Sequence, residues 1–81
     1  MEYLKVLTAG FLESLNALDK KIQVAAWKKI VQIQENPLRF DFLHKAERIQ
    51  KARVGKWRIL FRVEGNSITF YRVGKRDGVY E

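Results

Sequence analysis

Residues 51–63 leave the chain little freedom. Two runs rich in β-branched, basic and aromatic residues flank Gly55-Lys56. Gly followed by almost any residue signals a type II′ hairpin turn. A two-residue loop fixes the register, so Val54 faces Trp57, Arg53 faces Arg58, Ala52 faces Ile59 and Lys51 faces Leu60. Side chains alternate along a strand. Lys51, Arg53, Arg58 and Arg62 therefore leave one face, and Ala52, Ile59, Phe61 and Val63 the other. The second set is suited to a core. The first crowds cations, and like charges opposite one another across a strand pair cost up to about 1 kcal/mol. A local rule broken without visible compensation points to a functional site. A phosphate would relieve the repulsion.

Charge across the whole chain agrees. The 81 residues carry 16 Lys and Arg against 9 Asp and Glu, a net charge of +7. That balance suggests a polyanionic partner such as nucleic acid, an anionic membrane or an acidic protein. The length suits one domain, residues 1–81, with one modest core. There is no cysteine, which removes disulfides, thiolate catalysis and cysteine-bound zinc. The single histidine, His44, is too little for a histidine metal site, and it reads as an exposed loop residue rather than a catalyst. No basic segment followed by an apolar run opens the chain, and no apolar stretch approaches membrane-spanning length. A soluble, cytoplasmic protein without membrane association is expected.

Before the hairpin, residues 2–7 read as a first strand. Thr8 is a suitable helix N-cap, and Phe11, Leu12, Leu15 and Leu18 recur at helical spacing over residues 9–18. Asp19 can cap a second helix over residues 20–35. Its stripe is Ile22, Ala26, Ile30 and Ile33, with Val24, Trp27 and Val31 beside it. The lysines opposite, Lys20, Lys21, Lys28 and Lys29, read as a solvated face, with a second RNA-backbone contact as the lesser alternative. Asn36-Pro37 ends this helix, since Pro disfavours helical geometry in the residue before it. Residues 38–49 read as a loop crossing the sheet, with one helical turn over 44–49. After the hairpin, Gly65-Asn66 makes a second two-residue turn. A last strand over 67–73 then puts Ile68 and Phe70 in the core, Tyr71 on the cationic face and Arg72 toward the core side. Residues 74–78 break that strand. The expected fold is α+β, in the order β-α-α-β-β-β: an antiparallel, twisted sheet with a helical hairpin on one face.

At this point the residues resemble a known family. Lys51-x-Arg53-x-Gly55-x-Trp57-Arg58-x-Leu60-Phe61-Arg62-Val63, then Arg72-Val73-Gly74-Lys75-Arg76, then Val79-Tyr80, are similar to the RelE/ParE toxins of type II toxin–antitoxin pairs. The resemblance implies a compact microbial RNase-like fold. For RelE-like members it implies ribosome-dependent cleavage of mRNA in the A site, with no metal and no cofactor. In that chemistry the 2′-hydroxyl attacks the adjacent phosphate and the 5′-oxygen leaves. This needs a proton acceptor, cations on the developing charge and a donor for the leaving oxygen.

The resemblance carries over to Lys51 and Arg53 as the basic pair, Arg58 and Arg76 as phosphate clamps, and Tyr80 as a base-stacking or hydroxyl-orienting group. Lys51, crowded by cations, is the member suited to proton transfer. Arg53 is never deprotonated and is no base, and no acidic base stands out. Arg62, Lys75, Lys45 and Arg48 are further candidate RNA-phosphate contacts. The implied partners are a small acidic RelB-like antitoxin, the ribosome and mRNA, with DNA reached only through the antitoxin. Two other readings share the fold: a ParE-type toxin that inhibits DNA gyrase, and an inactive member that only binds its antitoxin.

Overall fold

A computed structural model describes residues 3–75. Its elements are β1 (Leu4–Leu7), α1 (Ala9–Asn16), α2 (Lys20–Glu35), a 3₁₀ turn (Pro37–Arg39), β2 (Phe42–His44), β3 (Ile49–Val54), β4 (Trp57–Glu64) and β5 (Ser67–Lys75). The sheet order is β1-β5-β4-β3-β2. Among the described residues no helix is long and apolar enough to cross a membrane.

The α+β architecture and the helical hairpin stand as expected. The β3–β4 register matches the expected one residue for residue. Gly55 takes φ +59°, the positive value that the turn requires of its first central residue. Gly65 does the same at φ +62°, and Glu64 pairs with Ser67 across the two-residue turn. Thr8 caps α1: its hydroxyl accepts from the Phe11 N–H at 3.1 Å and donates to the Phe70 carbonyl at 2.9 Å. One side chain thus closes a helix end and ties it to β5.

The core lies between the helices and one sheet face. Phe11, Leu15, Ala26, Ile30, Ile33, Ala52, Ile59, Phe61, Ile68 and Phe70 are all buried there. A row of rings crosses this layer: Trp27 to Phe11 (6.4 Å between centroids), Phe11 to Phe70 (5.6 Å), Phe70 to Phe61 (5.9 Å) and Phe61 to Phe40 (6.0 Å). Trp27 keeps 38% of its surface exposed, and Val24 and Val31 each keep 52%. The stripe beside the core is therefore only partly covered. α1 stops at Asn16, short of the expected end at residue 18.

Four further expectations are corrected. The sheet is not wholly antiparallel, because β1 runs parallel to β5 at its edge. Residues 38–49 do not form a plain loop with a helical turn. They contain β2, hairpinned to β3 through a turn in which Arg48 takes φ +61°. A positive φ is unusual for a side chain of that size, and the position lacks the Gly or Asn that would have announced the turn. The last strand does not break at Gly74 but continues to Lys75. Finally, Arg72 does not point to the core side. A bulge opposite Leu60 and Phe61 inserts Tyr71, so Phe61 pairs with Phe70 while Leu60 pairs with Arg72 and Ile59 with Val73. The extra residue restarts the alternation. Val73 is buried and Arg72 is exposed.

Candidate functional site

The face of β3 and β4 turned away from the helices carries the cations. Lys51 stands opposite Leu60, and Arg53 directly opposite Arg58. Leu60 is 7% exposed although it lies on this outer face. The aliphatic stems of neighbouring basic side chains are suited to covering it while their charged heads stay in water.

β2 pairs with Ile49 and Gln50, and beyond them no described strand pairs with the outer edge of β3. Residues 37–41 run along that edge, and the Asp41 carbonyl accepts from the Lys51 N–H at 2.9 Å. Between edge and segment lies a cavity of about 420 Å³. Lys51, Arg53 and Arg58 form its strand wall. Lys29 of α2, with Arg39, Phe40 and Asp41, forms its other wall. Five basic residues and one acidic residue line it. Among the described residues, the Asp41 carboxylate has no ion pair within 4 Å.

Gln50 builds the second wall. It is 3% exposed, at a position that faces the core. Its side-chain amide donates to the carbonyls of Pro37 at 2.8 Å and Phe40 at 2.9 Å. A buried amide must find partners, and these two bonds hold residues 37–40 against the sheet. Phe40 is anchored edge-on against Phe61, and the Arg39 guanidinium lies 5.1 Å from the Phe40 ring centroid. That is cation–π distance.

Of the residues singled out in the sequence, the structure gathers Lys51, Arg53 and Arg58 in this cavity. Arg62 lies further along β4, with Nε 3.5 Å from a Glu64 carboxylate oxygen. Lys75 is exposed, its Nζ 6.0 Å from the Trp57 ring centroid. Lys45 and Arg48 sit in the β2–β3 turn, and Arg48 donates to the Val63 carbonyl at 3.5 Å. His44 is exposed on β2. Arg76 and Tyr80 lie outside the described residues. Lys29, which the sequence placed on a solvated face, lines the cavity, and three further lining residues escaped sequence reasoning: Arg39, Phe40 and Asp41. The signal for them was Gln50, a polar residue in the core-facing register, which requires a backbone segment lying over it.

Chemically, the cavity can grip an anion bearing several oxygens. It offers guanidinium groups for bidentate contacts, ammonium donors and a carboxylate acceptor. Among the described residues no three His, Cys, Asp or Glu side chains are grouped to hold a metal ion.

The family model for the ParE toxin of type II toxin–antitoxin systems (parDE) matches residues 6–80. No curated protein matches the sequence. Solved structures share the fold at low identity. A RelBE toxin–antitoxin complex from Mycobacterium tuberculosis is 22% identical over 94% of this chain and 100% of that one, with a TM-score of 0.81. A mutant Escherichia coli RelE toxin in the free state is 20% identical over 95% and 86%, with a TM-score of 0.83. A RelB–RelE complex from Methanococcus jannaschii is 24% identical over 93% and 94%, with a TM-score of 0.73.

Proposed function

Since the chain belongs to the family of ParE toxins of type II toxin–antitoxin systems, we propose that this toxin is of the RelE-like kind, a ribosome-dependent endoribonuclease that cuts mRNA in the A site. The observation that carries this reading is the convergence of Lys51, Arg53, Arg58 and Asp41 on one cavity. In the proposed step the Asp41 carboxylate takes the proton of a ribose 2′-hydroxyl. The 2′-oxygen bonds to phosphorus, and the phosphorus–O5′ bond breaks. Lys51, an ammonium donor with no acceptor capacity, gives a proton to the departing 5′-oxygen. The products are a 2′,3′-cyclic phosphate and a 5′-hydroxyl. Arg53 and Arg58 hold the non-bridging oxygens, where negative charge builds up and fixed donors stabilise it most. In this reading Asp41 fills the acceptor role that the sequence had left vacant, and the part of Lys51 in proton transfer is that of donor. From the resemblance, Arg76 adds a second clamp and Tyr80 stacks on a base.

The proposed partners are the ribosome with its mRNA, and a small acidic antitoxin resembling RelB. The antitoxin covers the basic face and folds as it binds. Its grip weakens with salt. The proposed location is the cytoplasm. The family description itself favours a second reading, a ParE-type toxin that inhibits DNA gyrase.

One experiment separates the two. Purified wild-type protein and Arg58→Ala are added to in vitro translation, and the mRNA is mapped by primer extension. Cuts within codons that require ribosomes and vanish in the variant support the nuclease. Intact mRNA with inhibited gyrase supercoiling supports the ParE-type reading.

A further inference from the structure

The cavity is larger than one phosphate group requires. Its volume of about 420 Å³ falls in the range of roughly 300–1,000 Å³ typical of sites for whole small molecules. Its cations also stand in two banks. One bank is on β3 and β4. The other is Lys29 and Arg39, carried by α2 and the segment after it. Two separated banks of positive charge fit two phosphates in succession better than one. The second wall is also firmly built. Gln50 and the Lys51 N–H fix its backbone through three bonds of 2.8–2.9 Å, and Phe40 is keyed into the ring row through Phe61. The Arg39 guanidinium, a planar group, lies 5.1 Å from the Phe40 ring centroid on an exposed residue. Bases unstacked from single-stranded RNA stack on such planes.

From this geometry we infer that Lys29, Arg39 and Phe40 form a second nucleotide subsite, which holds the phosphate and base next to the one being cut. Lys29 and Arg39 take the neighbouring phosphate. The Arg39 plane, backed by Phe40, carries the neighbouring base. The inference rests on the nuclease reading above and adds to it a determinant of where on the message the cut falls.

The test pairs protein and substrate changes. Ribosomes are programmed with mRNAs in which the first phosphate on either side of the cut is replaced by an uncharged methylphosphonate. Wild type and Lys29→Ala/Arg39→Ala are compared on native and neutralised messages, and thermal melts verify that the variant is folded. The expected result is a loss of about tenfold or more for wild type on one neutralised message. The double variant should show a comparable loss on native message and little further loss on the neutralised one. Arg39→Lys, which keeps charge but not the plane, should flatten the preference for the neighbouring base and lose less rate on native message than the double variant. Losses that multiply independently would overturn the subsite, as would a double variant that cuts native message as fast as wild type. If wild type cuts no ribosome-bound message at all, the nuclease reading fails, and the subsite with it. That outcome is distinct from cutting that ignores Lys29 and Arg39.

Discussion

The two walls of the cavity are held in place by different means. The strand wall carries Lys51, Arg53 and Arg58 on the outer side of β3 and β4, and the inner side of the same strands is the core, with Ala52, Ile59 and Phe61 at 0–1% exposure. The other wall carries Arg39, Phe40 and Asp41 on a segment that lies outside the strands. It depends on two bonds from Gln50, one from the Lys51 N–H and a ring contact. The first wall is rigid because the fold is stable. The second is rigid because a few polar contacts are satisfied. Substitutions should separate the two, since changes behind the strand wall cost stability and changes in the other wall cost chemistry.

The largest separation is expected at Asp41. Asp41→Asn keeps the shape and removes the acceptor. General base catalysis contributes about 10²–10⁴-fold, so cleavage on programmed ribosomes should fall within that range while the thermal midpoint barely moves. A variant that cuts as fast as wild type would remove Asp41 from the proposed step. Phe61→Ala is the opposite case. It hollows the ring row where Phe70 and Phe40 meet, and core Phe-to-Ala changes cost about 3–5 kcal/mol. Urea unfolding measures that loss directly. It is a large share of the stability of a domain this small.

Gln50→Leu probes the junction between the walls. It takes the Gln50 donor from the Phe40 carbonyl, at about 1–3 kcal/mol, and leaves the Pro37 carbonyl with the Phe40 N–H at 3.3 Å. If the segment is held as described, cleavage should fall by more than the stability loss accounts for. Equal unfolding curves and equal cutting rates would mean that the second wall holds itself in place.

The same division explains what could be read in advance. Gly55 and Gly65 sit where positive φ is needed, so both turns and the β3–β4 register were legible. The faces of β3 followed from alternation, and the strand wall with them. The other wall was hidden for local reasons. Arg48 occupies a left-handed position without Gly or Asn, so the β2–β3 hairpin announced nothing. With β2 unseen, residues 37–41 had no place to run. The bulge at Tyr71 was equally silent: the strand pairing, the burial of Val73 and the exposure of Arg72 reveal it. Arg76 and Tyr80 rest on the family resemblance alone.

The smallest predicted effect bears on the premise that drew attention to the hairpin. Arg53 and Arg58 are direct cross-strand partners, and like charges so placed destabilise by up to about 1 kcal/mol. Arg53→Thr removes one of them and substitutes a residue that favours strands. The free toxin should therefore become more stable at low salt, by about 0.5–1 kcal/mol, while losing cleavage. The gain should shrink as ionic strength rises and screens exposed charges. Stability and activity would then move in opposite directions from a single side chain, as expected of a face kept for an anion. If Arg53→Thr is less stable than wild type at every salt concentration, the two guanidinium groups do not strain the hairpin. The crowded cations would then be an ordinary basic surface, and the case for a phosphate between the walls would rest on the cavity alone.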